Sequence, residues 1–413
     1  MAVMFDSPSL PRAEPPPSPG GEAEVPFGFE EVFFSRTDGR GVVRAGNRVF
    51  QRVSGYGWSR LIGAPHKVVR HAAMPKAVFH LMWDRIKAGI PTGAYVRNRS
   101  EDGRSYWVFA VIVPLSDGYL SVRIKPGSTL LQQVKGLYAD LLADEGEGTA
   151  PADGARHLLA GLARAGFPGY DAFQARALAA EVLHRGRIAG CPVPSVGEAL
   201  STAEAADGIG TELAALRGMF DVARMIAINL RILSSELGDL GRPVSAISSN
   251  FGLLTADMTA WLQSRALGDE GGFASIARSV SEGLFLRNAA AVLGEMAEAF
   301  AREGETGGSD PAEEAARLAQ VAAQYRARAA ASLSRVSQEA QGMEARLAEM
   351  RTHVAGLNSI RMLCRIEGAV LRREGGSLDQ IVNQLDGFQD DLAGRLARST
   401  ELGHRIRRAA AML

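Results

Sequence analysis

The sequence predicts an α+β domain, an antiparallel sheet with short helices, followed by an all-α region of helical hairpins with coiled-coil-like seams. Aromatic residues and strand-like runs are concentrated in residues 27–126, where acidic-glycine turns separate the runs. From about residue 129 onward the chain is rich in Ala, Leu, Glu and Arg, and its apolar residues recur at alternating steps of three and four. At 413 residues the chain should hold two or three domains, because single cores rarely grow beyond ~250–300 residues.

The composition divides the chain into four segments. Residues 1–26 are rich in Pro, Ser, Gly and Glu and cannot bury enough apolar surface to offset the entropy of ordering, so we predict a disordered tail. The α+β domain occupies residues 27–126, and residues 127–205 form a helical connector. The hairpins, at residues 206–413, are expected to act in output and dimerisation.

Turn signals place the strands and short helices of the α+β domain. Asp-Gly turns at 38–39, 102–103 and 117–118 precede or join strand-like runs, a pattern typical of antiparallel hairpins. The predicted strands follow these turns at residues 42–44, 95–99, 106–114 and 119–124. Helical stretches at residues 47–54 and 76–88 lie between the first strands and the later sheet, which gives an α+β order.

A first helical hairpin is predicted from an interrupted heptad-like seam. The seam comprises Leu213, Leu216, Phe220, Ala223, Ala227, Leu230, Ser234 and Leu237, and it resumes as Val244, Ile247, Phe251, Leu254, Met258 and Trp261. Residues 238–243 break the pattern with two glycines and a proline, so the two arms should run antiparallel.

A second hairpin is predicted further along the chain. Asp310 is a helix N-cap and Pro311 occupies the first helical position. The seam continues through Val336, Ala340, Met343, Leu347, Met350, Val354 and Leu357, and a turn at Gly375-Gly376 precedes Leu378, Ile381, Leu385, Phe388 and Leu392. At an offset of 134 residues the two hairpins share several identities, Arg217 with Arg351 and Ile226 with Ile360 among them, which raises the hypothesis of an internal repeat.

Charge and motif content narrow the function classes. The 46 basic and 46 acidic residues cancel, so no overall field favours nucleic acid. Only two cysteines occur, Cys191 and Cys364, and neither a membrane span nor a signal peptide is evident, so we expect a cytoplasmic protein. A Gly-rich phosphate loop, a His-Glu-x-x-His motif and a serine elbow are all missing, and we expect no catalytic activity and no metal site.

One stretch of the α+β domain carries a specific resemblance. Its residues are the runs Ser54-Gly55-Tyr56, Leu61 to His71, Met74-Pro75, Phe79, Met82-Trp83, Lys87-Ala88-Gly89, Val96 to Arg99, Gly103, Tyr106-Trp107-Val108 and Ser121-Val122-Arg123. In one register without large gaps, these runs resemble the PAS domain of aerotaxis receptors.

The resemblance implies a PAS fold that holds non-covalent FAD as a redox sensor. The flavin-binding positions of the family fall on Arg70, His71, Trp83 and Asn98. A guanidinium or imidazolium stabilises negative charge on reduced flavin or its phosphates, and an indole packs on the ring. An Asn amide pairs with the donor and acceptor edge of the ring.

Two departures and several alternatives accompany this assignment. Ala73 stands where the family has an acidic residue, and Thr92 stands where it has a second tryptophan, so each position lacks one plausible contact. Haem held by His66 or His71, and a pocket without a cofactor or with a small ligand, are the other readings. Trp83 could also serve as core packing, Arg70 could extend over the surface or pair with an acidic residue, and the histidines could bond to backbone.

The first predicted hairpin has a tip that resembles methyl-accepting chemotaxis receptors. Asn229, Ile232, Gly238, Gly241 and Arg242 match the family spacing, whereas the Glu-Ala-Ala-Arg core of the family is absent. The implied partners are a chemotaxis kinase, its coupling protein or another receptor. Seams that need burial predict a homodimer, and residues 125–127 are the expected lever into the following helix. The alternative is a non-catalytic scaffold with a cofactor-free PAS domain.

Overall fold

The computed structural model describes residues 24–266, 273–303, 307–373 and 378–410. The tail residues 1–23 and the predicted turn at Gly375-Gly376 lie outside the described residues. The chain divides into two compact units: residues 1–158, 187–191 and 291–321 form the first, and residues 159–186, 192–290 and 322–413 form the second.

The first unit is built on an antiparallel sheet. Its strands are β1 (Val32–Asp38), β2 (Val43–Gly46), β3 (Thr92–Arg99), β4 (Ser105–Leu115) and β5 (Gly118–Ile124). The strand order is β2-β1-β5-β4-β3, and every neighbouring pair is antiparallel. The predicted fold class is confirmed, and the long helices that follow the sheet complete it.

The strand register determines which residues share a face. Ser121 on β5 lies opposite Ser35 on β1 and Ile112 on β4. Arg123, two residues further along β5, lies opposite Ala110. Because side chains alternate between the two faces of a sheet, these five residues lie on one side of it.

Short helices cover that face of the sheet. They are α1 (Arg48–Ser54), α2 (Trp58–Leu61), a single 3₁₀ turn (His66–Val69) and α3 (Lys76–Lys87). Asn47 fixes the start of α1, since its side-chain oxygen accepts hydrogen bonds from the backbone N–H groups of Phe50 at 3.1 Å and Phe34 at 2.9 Å. A buried Asn with these partners caps the helix and ties it to β1.

Long helices make up the rest of the chain after the sheet. They are α4 (Thr129–Gly146), α5 (Pro151–Arg164), α6 (Tyr170–Ile188), α7 (Pro194–Glu236), α8 (Arg242–Trp261), α9 (Phe273–Glu303), α10 (Pro311–Arg373) and α11 (Asp379–Ala410).

The other face of the sheet is covered by α4 and by the end of α9, which belong to the same unit. From α4, the Tyr138 hydroxyl donates to the carbonyl of Tyr95 at 3.1 Å. From the end of α9, Phe300 packs edge-on against Phe34 with the ring centroids 4.8 Å apart.

The beginning of α10 also belongs to the first unit. Asp310 caps this helix as predicted, because its carboxylate accepts from the Ala312 N–H at 2.9 Å. Glu314, in the first turn of this helix, is buried and pairs with Arg36 of β1 at 2.8 Å. The sheet therefore contacts the first turn of a helix that continues to Arg373.

The predicted first hairpin is present in the second unit. A 3₁₀ turn, Gly238–Gly241, joins α7 to α8 at the predicted break. The hydroxyl of Ser234 donates to the carbonyl of Gly241, and that of Ser248 donates to the carbonyl of Ala227, each at 2.8 Å. These contacts align the two arms antiparallel.

The second predicted hairpin packs on the first within the same chain. Gln389 of α11 donates to the Leu357 carbonyl of α10 at 2.7 Å. The rings of Phe220, Phe251 and Phe388 meet with Phe388 in the middle, at centroid distances of 5.8 and 6.3 Å. The sequence led us to expect that a second copy of the chain would bury these seams. In the structure, the seams of the two hairpins bury one another instead.

Nowhere in the described chain is a helix both long and apolar enough to cross a membrane.

Candidate functional site

A cavity of about 290 Å³ lies between the sheet and α3. Its wall combines a largely apolar surface with polar groups from the sheet and from the loops beside it, the composition of a small-molecule site. The lining residues are Ser35, Thr37, Arg40, Gly41, Pro65, His66, Lys67, Arg70, Phe79, Met82, Trp83, Ile86, Val96, Asn98, Ala110, Ile112, Tyr119, Ser121 and Arg123. This volume is near the lower limit of ~300–1,000 Å³ for ligand pockets, so it suits one ring system better than a whole dinucleotide.

Three of the four predicted site residues line this cavity. Arg70, Trp83 and Asn98 are brought together there from a loop, from α3 and from β3. His71 is not among the described lining residues. It is buried in the loop, where its Nδ1 accepts a hydrogen bond from the Ala73 N–H at 3.0 Å.

Trp83 occupies the helical wall of the cavity. Its ring packs edge-on against Tyr119 of β5, with centroids 5.3 Å apart. Gly41 makes room for it, since a Cβ at this position would lie 3.3 Å from the indole, and its φ of 77° also favours glycine. The indole therefore contributes to the cavity wall from a fixed position.

Arg70 is half-buried at the cavity wall and is held by a ring. Its guanidinium carbon lies 3.8 Å from the centroid of Phe79, a cation–π distance. One guanidinium nitrogen also donates to the Met74 carbonyl at 3.4 Å. Burial lowers the pKa of Arg70, and the charge of Glu145 opposes that shift.

The two departures from the aerotaxis pattern lie outside the described cavity wall. Ala73 contributes only its backbone N–H, to His71. Thr92 is fully buried, and its hydroxyl donates to the Ile90 carbonyl at 3.0 Å. Neither change therefore removes a group from the cavity as the chain forms it.

The sequence did not predict a polar corner on the sheet, which is formed by Arg123, Ser121, Ser35 and His66. A guanidinium nitrogen of Arg123 donates to Ser35 Oγ at 2.8 Å and to His66 Nε2 at 2.6 Å. In the described part of the chain, neither the other terminal nitrogen of Arg123 nor the hydroxyl of Ser121 has a hydrogen-bond partner. Arg123 entered the sequence analysis only as a match to the family. Its spacing of two residues from Ser121 on β5 could have predicted that both side chains lie on the same face of the sheet.

The electrostatics of this corner follow from burial. Burial first, and the charge of Arg123 second, lower the pKa of His66 to about 3, so the imidazole is neutral and its Nε2 accepts from Arg123. Burial lowers the pKa of Arg123 itself to about 10, which still leaves it charged near neutral pH. Within the described part of the chain, no carboxylate pairs with Arg123.

This sheet order, with short helices enclosing a cavity on one face, defines a PAS-type domain. Residues 45–122 match the family model described as PAS fold. The aerotaxis receptor of Escherichia coli (strain K12) is 36% identical over 127 residues, which cover 30% of this chain and 25% of the receptor. The chain thus contains a PAS domain of the aerotaxis-receptor type, and it spans about a quarter of the length of that curated relative.

Solved structures with PAS-like folds are also similar to part of the chain. The PAS domain of a protein from Colwellia psychrerythraea is 20% identical, with a TM-score of 0.20, and the match covers 23% of this chain and 85% of that one. The LOV domain of a blue-light activated histidine kinase from Erythrobacter litoralis is 16% identical, with a TM-score of 0.20, over 22% of this chain and 90% of that one. These scores are too low to support any inference about ligand or function.

The residues at the cavity fit a flavin ring. The apolar wall with Trp83 suits an aromatic ring, and Asn98 is buried with its amide at the same cavity. The unpartnered polar atoms of Arg123 and Ser121 are donors for an oxygen-rich ring edge. A redox-active ring in contact with a buried charge is an arrangement in which oxidation state changes the interaction energy.

Proposed function

We propose that this chain is a non-enzymatic signal-transduction sensor whose PAS domain binds FAD and detects redox state or oxygen. The observation that carries the proposal is the cavity in which Arg70, Trp83 and Asn98 converge. FAD, when bound, supplies reversible two-electron chemistry. Trp83 would pack on its ring, Asn98 would pair with the ring edge, and Arg70 would stabilise negative charge near the cavity mouth.

We further propose that β1 passes the state of the cavity to the helical region. Ser35 of β1 contacts Arg123 at the cavity, and the adjacent Arg36 contacts Glu314 in the first turn of α10. A ligand that changes the hydrogen bonding of the corner would bias two positions of this strand and of the helix start. The predicted lever at residues 125–127 leads into α4, and it is proposed as a second route.

Dimerisation and chemotaxis partners belong to the same proposal. The predicted seams are buried within the chain, and among the exposed apolar side chains that the structure describes, those of Val222, Met225 and Ile232 on α7 offer a surface to a second copy. These three lie on one stripe of the helix, close to the tip that resembles chemotaxis receptors. A homodimer that engages a chemotaxis kinase, its coupling protein or another receptor is the output we propose, and cytoplasmic location stays a prediction of the sequence.

An absorption spectrum tests the flavin part. We expect the protein, purified from its host or mixed with FAD, to show oxidised-flavin bands that are lost in Trp83→Ala and Asn98→Ala. A haem-like Soret band would keep the sensor role and transfer the ligand to a histidine. A colourless protein that also fails to retain added FAD would contradict the proposal and favour the cofactor-free docking scaffold.

A further inference from the structure

Arg123 is a buried cation that has no counter-charge among the residues the structure describes. It is 5% exposed and lies on β5, in the middle of the sheet order. Its contacts are neutral: the Ser35 hydroxyl, the neutral His66 imidazole and the face of Phe50, whose centroid is 5.5 Å from the guanidinium carbon. Buried charges in proteins are ordinarily paired, because the loss of hydration costs several kcal/mol per ion.

The hydrogen-bond donors that Arg123 leaves unused lie at the wall of the cavity. Among the described residues, Nη1 of Arg123 has no hydrogen-bond partner, and neither has the hydroxyl of Ser121, which is 8% exposed. Both residues line the cavity and lie two positions apart on the same strand. Together they place a charged N–H donor and a neutral O–H donor at the wall of one cavity, a donor set that suits an anion with two or more oxygen or nitrogen acceptors.

None of the described neighbours of Arg123 is a carboxylate. On β1 it faces Ser35, in the 3₁₀ turn it faces His66, on α1 it faces Phe50, and on the sheet its strongest electrostatic neighbour is Tyr106. Arg70 lines the same cavity, yet its guanidinium is already stacked on Phe79 and bonded to Met74. Of these two arginines, Arg123 is the one with an unsatisfied terminal nitrogen.

We propose that Arg123 and Ser121 form an anion-binding site at the polar corner, and that the ligand of this PAS domain presents a planar, delocalised anion to it. The proposal deepens the proposed function, because either the ionised ring edge of a reduced flavin or the carboxylate of an aromatic acid has this chemistry. A guanidinium at this place favours the anionic form of its ligand. His66 holds the guanidinium in position as a neutral acceptor.

A pair of uncharged and charged probes tests the corner on the full chain without flavin. Benzoate and benzamide have nearly the same shape, and only benzoate carries a planar anion. We expect benzoate to bind at least about tenfold more tightly than benzamide by calorimetry, because a charge-assisted hydrogen bond is roughly twice as strong as a neutral one. Arg123→Gln should abolish the preference, and Arg123→Lys should restore part of it.

Matched variants separate the corner from loss of folding. Arg99→Gln removes an exposed strand arginine from the same sheet and should leave the preference for benzoate unchanged. Ser121→Ala removes only a hydroxyl and should weaken benzoate without weakening benzamide. Circular dichroism of each variant shows whether the fold is retained, and the comparison of the two probes on the unaltered chain needs no variant.

A parallel experiment with FAD shows whether the anion is a reduced flavin or another ligand. It also separates the anion-binding corner from the proposed flavin function. If FAD binds and competes with benzoate, and Arg123→Gln lowers the midpoint potential of the bound flavin, the anion is the reduced ring. If benzoate binds through Arg123 and FAD does not bind, the corner stands and the flavin function fails. If the unaltered chain shows no preference for benzoate and Arg123→Gln leaves the flavin potential unchanged, the corner is refuted whether or not FAD binds.

Discussion

The guanidinium of Arg36 on β1 forms a 2.8 Å ion pair with the carboxylate of Glu314 in the first turn of α10. The preceding residue, Ser35, points to the opposite face of the sheet and accepts a hydrogen bond from Arg123 at the cavity. Successive side chains of a strand alternate between faces, so one peptide unit of β1 connects both contacts. A shift of this strand would be felt at the cavity and at the helix start together.

Breaking this ion pair should destabilise the protein strongly. The side chain of Glu314 is 1% exposed and that of Arg36 is 17% exposed, so Arg36→Met leaves a buried carboxylate with only Arg317, at 4.0 Å, nearby. Removal of one partner of a buried pair costs ~3–5 kcal/mol, and we expect about 2–3 kcal/mol here because Arg36 is not fully buried. Urea unfolding measures the change in the free energy of unfolding.

Two further variants give that measurement its control. The double variant Arg36→Met with Glu314→Leu should recover much of the loss, because no charge is then left unpaired. Arg44→Met removes an exposed arginine paired with Asp38 on the same sheet and should change stability little. An Arg36→Met protein as stable as the unaltered chain would show that the contact with α10 does not hold the helix start to β1.

Trp83 should determine ligand affinity without controlling the fold. Trp83→Ala removes an indole that lines the cavity, and we expect FAD affinity to fall at least about tenfold, since such aromatic contacts contribute ~0.5–1.5 kcal/mol beyond their buried area. Trp107→Ala is the matched control, because Trp107 is on β4 but is not in the described cavity wall. Equal losses of FAD affinity in the two variants, measured by absorbance titration, would argue against flavin at this site.

Acidification should destabilise the PAS domain through His66. Its pKa is lowered to about 3 in the folded chain, against an ordinary value of 6.5, so the unfolded chain takes up the proton more readily between these values. Stability from this group is therefore complete above about pH 6.5 and decreases as the pH falls below it. The expected result is a lower urea midpoint at pH 5 than at pH 7.5.

His66→Gln isolates this contribution from other groups. Asp207 acts in the opposite direction, because burial raises its pKa to about 6 and the folded chain then gains stability as the pH falls through that value. The glutamine amide oxygen can still accept from Arg123, so the variant removes the titration and keeps the acceptor. If the pH dependence of the variant equals that of the unaltered chain, His66 is not the group responsible.

Phe388 should be essential to the helical bundle of the second unit. It contacts Phe220 of α7 and Phe251 of α8, so it joins the two hairpins within one chain. Phe388→Ala should cost about 3–5 kcal/mol, the usual range for a buried phenylalanine. Leu253→Ala, which truncates an exposed side chain on α8, should cost far less, and equal unfolding curves for the two variants would contradict this packing.

Local patterns in the sequence predicted the fold because each carries its own physical cause. The Asp-Gly turns marked the strands, Asp310 marked a helix start, and the glycines of 238–241 marked the tip of the first hairpin. The partner that buries each helical seam could not be predicted, since heptad spacing shows that a face must be covered without showing by what. Inside one chain, the two hairpins cover one another.

The site was predictable in part, for a similar reason. Arg70, Trp83 and Asn98 were found through the family resemblance, and they converge on the cavity. Arg123 was overlooked because a strand arginine normally reaches solvent or an acidic neighbour, and only its register with Phe33 and Ala110 shows that it faces inward. Val25 extends the ordered chain into the predicted tail, where its N–H donates to the Ser105 carbonyl at 2.9 Å.

Hydrogen–deuterium exchange of the flavin-loaded protein, oxidised and then reduced, tests the sensor account most directly. We expect reduction to change amide protection in β1 and in the first turn of α10, and Arg36→Met to abolish the change in α10 while the change in β1 remains. Exchange that is identical in the two oxidation states at both places would contradict the claim that the cavity reports its state through β1.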